Sequence, residues 1–322
     1  MGLRSDVKAF VEMLSSGAAE SPVNAGIDEG RAMYRGMIEA FERPVGDLAV
    51  VKDFSITARD GHAIPARLYA ASQPDGSAAP VILQYHGGGW VLGDLDTHAP
   101  VCAEMARQTG FTVVSVDYRL APEHAFPTAY HDCLDAMLWL AGSPDEIGHK
   151  VEGIIPTGDS AGGALAAACA QRAAEGGNSP VLALCSFYGA LDMNAEGGSM
   201  AEFAQGYLLE ADGYGGMLLA YFPDAALRAS VEASPLNWDH WEKHPPALIY
   251  ACEYDPLRDQ SRAYAAKLAL AGVAVRYRES KGHIHGSVGL RQVMPSGHDD
   301  LVACCADLVS LVEEARALRE HN

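Results

Sequence analysis

Residues 151–170 read VEGIIPTGDSAGGALAAACA: a short apolar run, a polar pair at Asp159-Ser160 set among glycines, and then an alanine-rich run. The apolar run has the character of a buried strand and Ala161 to Ala170 is a good helix former, so the polar pair falls on a strand-to-helix turn. Gly158-Asp159-Ser160-Ala161-Gly162 fits Gly-x-Ser-x-Gly in that context. A serine held in such a tight, strained turn points its hydroxyl out of the sheet, and glycines two residues to either side let the strand and helix approach. The helix N-terminus adds free N–H groups and a positive dipole end beside it. The spacing therefore predicts a nucleophilic Ser160. Pro156 runs against the pattern, because it removes a ladder hydrogen bond from a central strand, and it is read as marking the strand's last turn.

Around this stretch the rhythm is strand, loop, helix. Apolar runs at 80–85, 111–116, 153–155, 181–185, 247–251 and 273–277 are separated by helical segments, which indicates a mostly parallel sheet covered by helices. Before them, residues 50–56 and 66–69 read as a hairpin at a sheet edge, joined by Asp60-Gly61. Val7, Phe10, Val11 and Leu14 share one helical stripe, and Met33, Met37 and Phe41 share another, so two amphipathic helices precede the sheet. Residues 194–244, rich in glycine, methionine and tyrosine, carry no strand pattern and read as an insertion of helices and loops.

The 322 residues with 49% hydrophobic content can fill a sizeable core, and a formal charge of −19 disfavours nucleic acid and anionic membrane surfaces as partners. Seven cysteines without a Cys-x-x-Cys pair suit reduced core thiols in a cytoplasmic protein. The first residues lack the apolar run of a secretory signal and no segment approaches ~20 uninterrupted apolar residues, so a soluble chain without membrane attachment is expected. No His, Cys or Asp grouping has metal-ligand spacing, so neither a metal nor a cofactor is expected.

A nucleophilic serine needs a base, an orienting carboxylate and an oxyanion site. His86-Gly87-Gly88-Gly89-Trp90 follows an apolar strand, and its glycine N–H groups, at Gly88 and Gly89, together with that of Ala161, would form the oxyanion hole. His86, on the oxyanion side, reads as structural.

HGGG at 86–89, DYRLAPE at 117–123, GDSAGG at 158–163, DPLRD at 255–259 and HG at 285–286, in that order, resemble the motif set of the bacterial hormone-sensitive-lipase-like esterases. The resemblance spans about residues 50–290 and implies an α/β-hydrolase fold, a mostly parallel central sheet flanked by helices with a helical cap. It divides the chain into a catalytic body at 46–193 and 245–322 and a cap drawn from 1–45 and 194–244. It makes Ser160 the nucleophile, Asp255 the orienting acid and His285 the general base, with Glu253, Asp259 and above all His283 as competitors. Ser287 stands where the family has Phe. The same resemblance implies hydrolysis of short-to-medium acyl esters, small-molecule substrates and dimers through the strand at 273–277. An amidase or deacetylase with the same triad, or a small-molecule receptor on the same fold, are the alternatives. Met13, Met33, Met37, Met193, Met200 and Met217 with Tyr207, Tyr214 and Tyr221 are candidates for the pocket lining. Asp159 reads as a local turn residue, and Asp117, Arg119 and Glu123 as polar support near the glycine run.

Overall fold

In the computed structural model, which describes residues 2–16 and 26–320, strands β1 (Val50–Thr57) and β2 (Ala63–Ala70) form an antiparallel hairpin. Six further strands follow: β3 (Ala79–Tyr85), β4 (Thr112–Val116), β5 (Val151–Asp159), β6 (Leu184–Phe187), β7 (Ala247–Tyr254) and β8 (Val275–Ile284). They form one eight-stranded sheet in the order β1-β2-β4-β3-β5-β6-β7-β8. β2 meets β4 antiparallel, and every pairing from β4 to β8 is parallel. The hairpin occupies one edge, as the sequence predicts, and β8 the other.

Side chains alternate across the strands, so each strand feeds two cores. Leu83, Tyr85, Val114 and Ile154 face one side, with α4 (Thr128–Ala141), α5 (Ala161–Ala174) and α8 (Arg258–Leu270). Ile82, Val113, Ile155 and Leu248 face the other, with α3 (Leu95–Thr109) and the long α9 (Pro295–Glu320). A parallel sheet covered on both faces explains strands that read as continuous apolar runs. A third, smaller core joins α1 (Ser5–Ser16) and α2 (Ile27–Phe41) to the end of β8, through Val7, Phe10, Ile38, Ile284 and Leu290. The remaining helices, α6 (Gly198–Glu202) and α7 (Ala211–Tyr221), belong to the glycine-rich segment.

Two sequence expectations are corrected here. Pro156 does not end its strand: β5 runs on to Asp159. Ile154 exchanges hydrogen bonds with Pro180 and Leu182 on the β6 side, so Pro156, two residues on, also turns its missing N–H toward β6. There the ladder is broken between the Ile154–Val181 bridge and the first β5–β6 pair at Thr157–Cys185, which confines the missing donor to a gap in the pairing. The last strand is likewise not 273–277 but Val275–Ile284, which puts His283 inside a strand and not on a loop. Bonding to β7 resumes at Tyr254–Ile284 after a register shift.

Candidate active site

Ser160 sits between β5 and α5 with φ 54° and ψ −119°, a conformation non-glycine residues adopt only under constraint. Its N–H bonds Phe187 O (2.9 Å) and its carbonyl accepts from Ala164 and Ala190. The flanking glycines have a steric cause. A Cβ on Gly162 would lie 2.0 Å from Tyr85 O, and one on Gly158 would lie 2.3 Å from the Gly162 carbonyl.

The Ser160 hydroxyl is 2.9 Å from Nε2 of His285, whose Nδ1 is 2.9 Å from Asp255 Oδ2. Asp255 follows β7 directly and His285 follows β8, so adjacent strand ends bring together residues 95 and 125 positions from the serine. Asp255 is fully buried, and its second oxygen accepts the Leu257 N–H (2.8 Å). An ionised carboxylate only accepts, so Nδ1 carries the imidazole proton and Nε2 accepts from Ser160. The ring of Tyr188 packs 4.7 Å from that of His285.

The competitors lie elsewhere. His283 bonds the Ser296 hydroxyl (2.8 Å) and lies 3.6 Å from Asp300, and burial, with Arg4 nearby, lowers its pKa to about 4. Glu253 accepts the Gly282 N–H, and Asp259 pairs with Arg258 and Arg262 while accepting from the Ser199 N–H. Ser287 is buried against Tyr250 Oη and Cys252 Sγ and does not line the cavity.

Gly88 and Gly89 have φ of 112° and 61°, a left-handed backbone open mainly to glycine. Gly88 O accepts from Val91 and Leu92, closing the turn, and a Cβ on Gly88 would lie 2.2 Å from Leu92 O. The N–H groups of Gly88, Gly89 and Ala161 have no acceptor among the described residues, and all three residues line the cavity beside Ser160. His86 is fully buried, stacked on Tyr118 at 4.2 Å, with Nδ1 on Gly87 O. Burial, with His98 close by, lowers its pKa to about 4, which suits a neutral structural ring.

Asp159 is more than a local turn residue. Its carboxylate accepts from the Gly87 N–H (3.0 Å) and lies 3.2 Å from His98 Nε2, so it ties the glycine loop to the serine turn across 72 positions. Burial pushes its pKa up, but His98 and, further off, His86 and His285 outweigh that and hold it below the usual carboxylate value. Its place directly before the serine was the only sequence signal. Arg119 and Glu123 also depart from expectation: Arg119 joins Asp132 of α4 to Asp60 of the hairpin turn, and Glu123 pairs with Arg31 of α2. Only Asp117 approaches the glycine run, 3.8 Å from His86.

The cavity above Ser160 measures about 140 Å³ and is mainly apolar. Met37, Tyr214 and Met217 line it, as the composition of their segments suggests. Met193 instead accepts from the Tyr214 hydroxyl, Tyr221 stacks on Trp90, and Tyr207 packs on Tyr254. Met13, Met33 and Met200 do not line it. Among the described residues no group of His, Cys, Asp or Glu side chains could hold a metal ion, and no helix is long and apolar enough to cross a membrane.

Residues 82–289 match the model of a family described by its α/β-hydrolase fold. The chain is 34% identical over 308 residues to an ethyl acetate hydrolase of Pseudomonas putida, covering 94% of this chain and 97% of that protein. It is 36% identical over 286 residues to the esterase LipI of Mycobacterium tuberculosis, covering 85% and 87%. Among solved structures, the hyperthermophilic esterase of the archaeon Pyrobaculum calidifontis superposes with a TM-score of 0.89 at 34% identity, over 97% of this chain and 99% of that one.

Proposed function

From the premise that the chain belongs to this α/β-hydrolase family, and is with it a carboxylic ester hydrolase, we propose that Ser160, His285 and Asp255 carry the reaction on short-to-medium acyl esters. The observation that carries this is the unbroken hydrogen-bonded line from Asp255 through His285 to Ser160, facing unoccupied N–H donors across one cavity.

His285 takes the hydroxyl proton as Ser160 attacks the ester carbonyl, and Asp255 holds the ring in the required tautomer and stabilises its positive charge. The amides of Gly88, Gly89 and Ala161 receive the oxyanion, and the loss of one such donor typically costs ~10²-fold or more in rate. His285 then gives its proton to the leaving alcohol, and water attacks the acyl-enzyme by the same route. The helices at 5–16 and 27–41, with parts of 194–244, act as a cap that closes a finite pocket, which limits acyl length. The name of the Pseudomonas relative, an ethyl acetate hydrolase, supports small esters. Seven buried free thiols favour a reducing compartment, and the edge strand β8 is where two copies would pair.

The test is turnover of nitrophenyl esters of increasing acyl length by the native chain and by Ser160→Ala. Activity should peak at short or medium chains and vanish in the variant, which keeps its circular dichroism. A preference for palmitate, or near-native turnover without the hydroxyl, would overturn the proposal.

A further inference from the structure

Besides Ser160 itself, a strained point near the site lies in the segment between α6 and α7. Leu208 has φ 71°, and the Leu209 N–H bonds Tyr207 O at 2.9 Å, so Leu208 is the centre of a γ-turn of positive φ, the rare and strained form. Such a turn persists only where its surroundings over-determine it, and they do. The loop is closed by Ala211 N–H on Ala204 O and braced by Glu210 on the Gly206 N–H. Phe203 and Tyr207 pack on each other and on Tyr254, the last residue of β7, with centroids 5.4–5.5 Å apart. Arg258 caps Phe203 at 4.9 Å and pairs with Glu202. The loop is thus fixed to the strand end that carries Asp255.

What the strain secures is the position of one side chain. Leu208 Cδ2 would lie 3.3 Å from a Cβ on Gly286, directly after His285, and Leu208 lines the cavity with Ser160, His285 and Leu290. On the far side, Met217 covers the oxyanion loop, its Sδ 1.9 Å from where a Cβ on Gly89 would be. The reaction gives these two walls different meanings. The leaving oxygen takes its proton from His285, so the alcohol part of the ester must lie on the His285 side, whereas the carbonyl oxygen lies toward Gly88 and Gly89. We infer that Leu208, held by the γ-turn over His285 and Gly286, is the residue that limits the size of the alcohol moiety. The inference rests on the assignment of Ser160 and His285 as nucleophile and base.

Two ester series separate the walls: acetates of ethanol, benzyl alcohol and menthol, followed by pH-stat, and nitrophenyl esters from acetate to hexanoate. Leu208→Ala should raise kcat/KM for menthyl acetate relative to ethyl acetate by roughly tenfold or more, the scale on which a few apolar carbons discriminate in a pocket. Its acyl-length profile should stay within about twofold of the native one. Met217→Ala, which widens the same cavity on the other side, should leave the menthyl-to-ethyl ratio within about twofold. Leu208→Gly should widen alcohol preference as Leu208→Ala does and melt at a higher temperature than it, because glycine adopts positive φ without strain. An unchanged alcohol preference in Leu208→Ala, or an equal shift in Met217→Ala, overturns the inference while the esterase reading stands. If Leu208→Gly melts below Leu208→Ala, the role given to the γ-turn falls. Native protein that turns over no ester overturns both readings together.

Discussion

His283 lies within β8 and His285 just beyond its last residue, Ile284, where the chain turns at the left-handed Gly286. Strand alternation, which would put residues two apart on one face, therefore no longer governs His285, and the two rings find different partners. His283 enters a polar cluster with Ser296, Asp300 and Arg4, while His285 reaches Ser160. His285→Ala should therefore lose roughly 10³-fold or more in kcat on a short-chain ester. His283→Ala should lose less than tenfold, since its partners anchor α1 and α9 and not the serine. A larger loss at His283 would reverse the assignment. Asp159 makes a second prediction at this scale. Removing its carboxylate leaves the Gly87 N–H only its 3.2 Å contact with His98 Nε2 and loosens the two N–H donors that follow, so Asp159→Ala should lower kcat by about tenfold or more with KM little changed, and Asp159→Asn, which keeps an acceptor oxygen, should recover most of the loss. Turnover by the alanine variant within twofold of the native value would sink the idea.

The loop that follows β4 shows how neighbouring elements set the state of one group. The Asp117 carboxyl lies near His86 and faces Asp94 and Asp96 at the start of α3, with Arg35 of α2 and Arg67 of β2 opposing them. Burial first, then Asp94, pushes its pKa up to about 6. The sign follows by linkage: the folded chain holds this proton more tightly than the unfolded chain, whose Asp titrates near the ordinary value of 3.8, so the group costs stability as pH rises from about 4 to about 6. Asp117→Asn, which imitates the protonated form, should raise Tm at pH 8 and leave it unchanged at pH 4. Calorimetry at the two pH values checks this, and a gain of equal size at both would refute the mechanism.

At the scale of the molecule, the helices that precede the sheet are fastened by charge in the buried interior. Arg291, between β8 and α9, forms hydrogen bonds to Glu42 at 2.7 Å through both its backbone N–H and Nε, with each side chain 1% exposed, and a further bond to Pro100 O of α3. Removing one partner strands a buried charge, so Arg291→Ala should cost about 3–5 kcal/mol in urea unfolding. The double change Glu42→Leu with Arg291→Met should recover part of that, because apolar side chains of similar volume need no partner, the backbone N–H of residue 291 alone losing its acceptor. A single-variant loss below about 1 kcal/mol would mean that the pair is not load-sharing between these elements.

Local order along the chain was legible because local chemistry dictates it. The apolar runs, the glycines around Ser160 and the triple glycine at 87–89 declare strands and sharp turns through sterics that act over a few residues. Order along the chain also placed Ser160, Asp255 and His285 in the sequence their fold demands. Only the tertiary structure decided what depends on register and on distant partners. β8 runs seven residues further than its apolar segment, because pairing with β7 extends it through polar residues such as Arg278 and Glu279. Pro156 sits within β5 opposite a gap in its pairing with β6, and nothing local to the proline reports that. Asp159 acquires its tether from Gly87, and Leu208 its strained turn from packing on Tyr254 through Tyr207. Contacts between residues tens of positions apart leave no period in the chain, since they exist only once the sheet has brought its strand ends together.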